Sequence, residues 1–200
     1  MSGLLRAAAR LRRAVAALAA LMAYLAGWNY IACAAFIGFD IVARNLFGFS
    51  SRATVEVTGY MLACGIAWAL AHTLMVRAHI RVDVLLNRLP LSLRAPLHLF
   101  ALLLLAVFAA FCAWAGWALV DESLLFNAHD NSALRIPLAI PQGIWAIGIL
   151  AFALTAGVLL VEGLLNLLAG RPQEVDRLLA SRGFREETEE ALQAARMIRQ

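Results

Sequence analysis

Polar and apolar positions along the chain fall into long blocks rather than into a short helical or strand period. Four uncharged apolar runs stand out. Residues 14–39 carry Asn29 as their only strongly polar side chain, residues 57–76 carry His72 with Glu56 at the mouth, and residues 95–120 carry His98 near their start. Residues 136–161 hold no ionisable group, and the apolar character continues past Glu162 to residue 169. About 20 apolar residues in a helix cross the ~30 Å hydrocarbon layer of a bilayer. A helix is also the only open-ended structure that satisfies its own backbone there. The pattern predicts an all-α integral membrane protein with four transmembrane helices, spanning about 14–39, 57–76, 95–120 and 136–169. The longer runs are expected to tilt or to project beyond the hydrocarbon. The first run is too long for a secretory signal, whose apolar region is about 7–15 residues, and reads as an uncleaved anchor.

Composition agrees with the blocks. Hydrophobic residues make up 63% of the 200-residue chain and charged residues 15%, with a mean hydropathy of +0.79. Typical globular proteins have about 45–50% apolar residues, and a small soluble domain this apolar would expose aggregating patches. All 17 basic residues are Arg. A net charge of +4 and a pI near 9.5 would suit nucleic acid, but the arginines are scattered between apolar blocks, as they are when they orient a protein in a bilayer. Cys33, Cys64 and Cys112 lie inside apolar runs without C-x-x-C spacing, so they read as small packing residues rather than as a disulfide framework or zinc site.

Arginine also divides the connectors. A basic arm at residues 1–13, the connector 77–94 and the charged tail 170–200 hold fourteen of the arginines; the other two connectors hold Arg44, Arg52 and Arg135. The positive-inside rule then places both termini and the 77–94 connector in the cytoplasm. In that connector Val84, Leu85 and Leu89 can share a helical face, with Asp83 as an N-cap or as a partner of His79. It reads equally as a short helix in the inner interface or as an ordinary basic loop. The opposite connector, 121–136, is polar and ends in Pro137 and Pro141, which fix an extended or kinked entry to the fourth span. Pro172 breaks the chain after that span. The four glutamates from Glu186 to Glu190, ahead of Arg196 and Arg199, suit a short helix after Gly183 or a disordered tail.

Chemistry is sparse. Metalloprotease, phosphate-loop, nucleophile-elbow and dinucleotide signatures are absent from the sequence, which points to neither an enzyme nor a resident cofactor. Polar groups within the spans are the default functional candidates. Asn29 is placed to hydrogen-bond a neighbouring helix, and Glu162, with Asn166 one turn on, to pair with an arginine or reach the inner interface. The small-residue pairs Ala23/Gly27, Gly65/Ala69 and Ala153/Gly157 permit close helix approach. His72 and His98, at comparable depth on different helices, admit a second reading as axial ligands of a b-type haem. A second histidine pair is lacking, and both lie near the interface.

One stretch carries a resemblance. Glu56-x-x-x-Tyr60, a small-residue-rich span, His79-Ile80-x-Val82-Asp83-x-Leu85 and Leu89-Pro90 resemble the small membrane subunit of tripartite ATP-independent periplasmic (TRAP) transporters. Ser132-x-x-Leu134-x-Ile136-Pro137, with Pro141-x-Gly143, is similar to that family's entry to its fourth helix. The resemblance implies a secondary transporter of the inner membrane in three parts. A periplasmic binding protein delivers a small, usually carboxylated solute; a large multi-helix permease couples its passage to sodium entry; the small subunit scaffolds that permease. On this resemblance Glu56 and Tyr60 contact the large subunit or fix their helix end, and His79, Arg81 and Asp83 anchor the inner segment. Asp121, Glu122 and Asp130 then face the binding protein. A freestanding four-helix accessory protein is the structural alternative.

Overall fold

Each apolar block forms most of one α-helix: α1 Ser2–Phe47, α2 Thr54–Met75, α3 Leu91–Leu125 and α4 Ala139–Leu168, followed by a short α5, Pro172–Leu179. The computed structural model describes residues 2–49, 53–78, 86, 89–132 and 134–180. His79, Arg81 and Asp83, and the helix expected after Gly183, lie outside the described residues. All four long helices are long and apolar enough to cross a membrane, and the protein is an all-α membrane protein.

Helix bounds differ from the apolar blocks for local reasons. α1 extends back to Ser2 because residues 4–13 are all Ala, Leu and Arg, strong helix formers, which outweigh the single Gly3 near its start. Its 46 residues extend for about 69 Å at 1.5 Å per residue, well beyond the hydrocarbon. α3 starts behind Pro90, whose ψ of 151° is extended, and continues to Leu125. Asp121 and Glu122 are therefore helical rather than part of a loop. α4 starts three residues after the apolar block does, at Ala139. Pro172, expected as a breaker, also stands as the first residue of α5, where its missing N–H has no helical partner to lose.

The long helices end alike. Gly48, Arg77, Asn127 and Gly170 have φ values of 70°, 59°, 47° and 69°. After α2, Ala78 N–H donates to Thr73 O and Arg77 N–H to Leu74 O; after α3, Ala128 donates to Ser123 O and Asn127 to Leu124 O; after α4, Arg171 donates to Asn166 O and Gly170 to Leu167 O. These are Schellman closures, whose left-handed residue is usually Gly and sometimes Asn. Arg77 is the exception.

α4 is the hub, packed against α1, α2, α3 and α5, while α1 also packs along α2. α2 and α3, although consecutive, share no extensive interface among the described residues. α1 buries a narrow stripe at Ala19, Met22, Ala26, Cys33 and Ala43, the seven-residue recurrence of a helix lying along one groove. Its other faces stay open, with Tyr24, Trp28 and Ile31 exposed. Two glycines set the spacing: a Cβ on Gly148 would stand 2.7 Å from the Ala67 backbone, and one on Gly65 would stand 2.8 Å from the Tyr30 ring. Of the small-residue pairs read in the sequence, Gly65 makes such a close approach, whereas Gly27 and Gly157 face open space.

Candidate functional site

Polar side chains gather at the two ends of the bundle. The proximal end is where α1 begins and α2 and α4 finish; the distal end is the opposite one. Between them, two side chains tie helices together by donating to main-chain carbonyls. Asn29 Nδ2 on α1 donates to Met61 O on α2 at 2.6 Å, the bond expected of an asparagine in a span. Trp68 Nε1 on α2 donates to Ile144 O on α4 at 2.7 Å.

At the distal end the connector between α3 and α4 is a tight hairpin. His129 and Pro137 form an antiparallel bridge, flanked by Asp130 N–H donating to Ile136 O at 2.9 Å and Leu138 N–H donating to Ala128 O at 3.0 Å. Tyr60, one turn along α2 from Glu56, donates its hydroxyl to Asp130 Oδ2 at 2.6 Å. The structure thus joins Tyr60 and Asp130, two residues separately singled out in the sequence, and puts Pro137 in the same hairpin. Glu56 is half-buried, and its Oε2 has no hydrogen-bond partner among the described residues. Asp121 and Glu122 are exposed on the last turns of α3. Tyr60, Cys64, Leu119, Pro141, Gln142 and Trp145 border an apolar cleft of about 280 Å³ below the hairpin.

The proximal end is ionic. Arg12 Nε on α1 donates to Glu162 Oε2 on α4 at 2.8 Å, which fulfils the expectation that Glu162 takes an arginine. Asn166 instead donates to Glu162 O on its own helix at 3.0 Å. α5 lies across the ends of α3 and α4, with Val175 and Leu179 buried in the core beside Leu99. Arg94 holds Asp176 through both of its carboxylate oxygens, with Nε to Oδ1 at 2.6 Å. Arg77 Nη1 donates to Arg177 O and Ala180 O, each at 3.3 Å, placing a cation on the terminal carbonyls of α5. His98 is buried, with Nε2 3.6 Å from Asp176 Oδ1. One of the two histidines of the haem reading thus has its ring beside a carboxylate. Asp176 and the α5 clasp were missed in the sequence, although Pro172 at a helix start with Val175 and Leu179 one turn apart is their signal.

An apolar multi-span bundle, with its polar groups holding helices together and hairpin and clasp closing its ends, is a membrane-embedded component. Residues 33–166 match the family described as tripartite ATP-independent periplasmic transporters, DctQ component. The chain belongs to this family, as the small permease component of a TRAP transporter, a multi-pass protein of the inner membrane. The family works in a three-part system with a large permease and a binding protein. No curated protein matches the chain.

Proposed function

We propose that this chain is the fixed scaffold on which the large permease moves, in sodium-coupled uptake of a small carboxylated solute handed over by a periplasmic binding protein. The observation that carries this reading is the use of polar groups. Asn29, Trp68, Arg12, Glu162, Arg94, Asp176, Tyr60 and Asp130 are engaged in tying helices and ends together. The outward faces are broadly apolar, with Trp28, Phe100, Phe108, Phe111 and Leu154 all more than half exposed. A stiff body with an apolar rim suits lipid and a large hydrophobic partner. Both termini and the proximal end face the cytoplasm in this reading, and the distal hairpin faces the binding protein. Two carboxylates on the last turns of α3, Asp121 and Glu122, oppose the helix dipole; their exposure supports a docking role, with Asp130 held beside them in the chain by Tyr60. Glu56 and Tyr60 brace the α2 entry, and His79, Arg81 and Asp83 anchor the inner connector.

The test is purification of tagged chain from its native membrane in mild detergent, with partners identified by mass spectrometry. A large polytopic permease recovered near one-to-one is expected. Recovery of the chain alone, where other membrane complexes survive, overturns the scaffold reading. Uptake by the reconstituted complex that does not respond to a sodium gradient overturns the coupling.

A further inference from the structure

Sorted by seven-residue recurrence, α1 carries two seams on different faces. The buried one, through Ala19, Met22, Ala26 and Cys33, lies against α2 and α4 and includes the ties made by Arg12 and Asn29. The second is open along its whole length. Every seventh residue from Leu4 to Leu46, and every seventh from Ala7 to Val42, is apolar and exposed. These two rows stand three and four residues apart, so they form one continuous stripe. Each of the other five rows of α1 is broken by an arginine, an aspartate or Asn29. Rows alternating at three and four residues are the pattern that a second helix packs into, knob into hole.

Lipid accounts for only the middle of this stripe. The apolar run of α1 covers residues 14–39, yet the stripe continues through Leu4 and Leu11 among the arginines of the basic arm, and through Val42 and Leu46 beside Asp40, Arg44 and Asn45. All four of these apolar side chains are more than half exposed. From Leu4 to Leu46 the stripe extends for about 63 Å at 1.5 Å per residue, roughly twice the ~30 Å of hydrocarbon. We propose that a long helix of the large permease packs along this stripe; the identity of that partner rests on the scaffold reading above. A soluble binding protein does not reach the membrane-embedded middle. A second copy of the chain, held in the same direction by the shared bilayer, would lay one arginine-rich arm along the other, a like-charge contact. The stripe is also large enough. Its nine large side chains, each 45% to 73% exposed, offer at roughly 80–100 Å² apiece the ~800 Å² that each partner buries in a stable interface.

The test places single cysteines in a full chain whose Cys33, Cys64 and Cys112 are replaced, labels them with benzophenone maleimide in native membranes, and identifies the photoadducts by mass spectrometry. Leu11→Cys, Leu25→Cys and Leu46→Cys, from the two ends and the middle of the stripe, should each join the chain to the permease. Ala34→Cys, exposed on another face of α1, should not. Leu11→Glu and Leu46→Glu, whose charges lie outside the hydrocarbon, should together lower the permease recovered with tagged chain about tenfold, with the helical circular dichroism unchanged. Permease recovered with the unsubstituted chain, but crosslinked from Ala34→Cys and not from the stripe, overturns this inference and leaves the scaffold reading standing. No permease recovered with the unsubstituted chain overturns both. Adducts between two copies of this chain overturn the permease assignment in favour of self-pairing, and lipid adducts alone from Leu11→Cys and Leu46→Cys overturn the helix partner altogether.

Discussion

Glu162 sits within a transmembrane helix at 7% exposure, and an ionised carboxylate at that depth needs a partner. Arg12 supplies it from α1, with its own side chain 36% exposed. Removing one member of a fully buried pair costs about 3–5 kcal/mol; partial solvation of Arg12 reduces this to about 1–3 kcal/mol for Arg12→Ala. The loss is read as a lower unfolding midpoint in detergent. Adding Glu162→Gln to Arg12→Ala should recover most of it, because the stranded charge is gone. A double variant no more stable than Arg12→Ala would show that the pair contributes packing rather than charge neutralisation. Tyr60 offers a second case. Its hydroxyl donates to a carboxylate oxygen of Asp130, a charge-assisted bond worth about 1.5–3 kcal/mol when buried and less at this half-exposed site. Tyr60→Phe should therefore leave the helices folded and loosen the hairpin, seen as faster amide hydrogen exchange at residues 128–138. Unchanged exchange there would place the restraint in the backbone bridge alone.

Among the elements, α4 shows what sequence can and cannot announce. The four long helices were legible because a run of about 20 apolar residues has one stable solution in a bilayer. Their ends were less so. Nothing in Ala- and Arg-rich sequence stops α1 at the membrane boundary, and a helix signal does not distinguish the spanning part from its extension. α5 escaped because eight residues make a marginal helix alone; Val175, Leu179 and the Arg94–Asp176 bond hold it, and those depend on α3. Tyr60 and Asp130 were each recognisable, but their pairing spans 70 positions and needs the hairpin. The glycines of α4 make the point most sharply. Gly148 and Gly157 look alike in sequence, yet a Cβ on Gly148 would meet the Ala67 backbone and the Trp68 ring at 2.7 Å, while one on Gly157 meets nothing within 4 Å. Gly148→Ala should force α2 and α4 apart and cost about 1–3 kcal/mol. Gly157→Ala should be neutral or stabilise by up to about 1 kcal/mol through helix propensity. Thermal unfolding of the two variants side by side decides; equal midpoints would mean that the α2–α4 contact is looser than the structure has it.

At the scale of the whole molecule, charge is sorted between the two ends. Arg6, Arg10, Arg12, Arg13, Arg77, Arg94, Arg171 and Arg177 lie at or beyond the proximal ends of their helices, against Arg44 and Arg135 distally, among the described residues. Cytoplasmic segments near membrane spans carry such an excess, so the α5 clasp is expected in the cytoplasm and the hairpin on the other side. On the proposed function the ends would have different tasks: the proximal end, ionic and fastened by α5, would resist the force of a moving permease, and the exposed carboxylates of the distal end would face a soluble protein. Two positions can report the orientation. Glu122 is exposed on the last turns of α3 and Gln173 is exposed on α5. In a chain with Cys33, Cys64 and Cys112 replaced, Glu122→Cys should react with a membrane-impermeant maleimide in cells whose outer membrane has been opened. Gln173→Cys should react only after the inner membrane is breached. The reverse pattern would invert the protein, put the clasp beside the binding protein and remove the docking role from the carboxylates of α3. Labelling of both positions in sealed cells would mean that the four helices do not all cross.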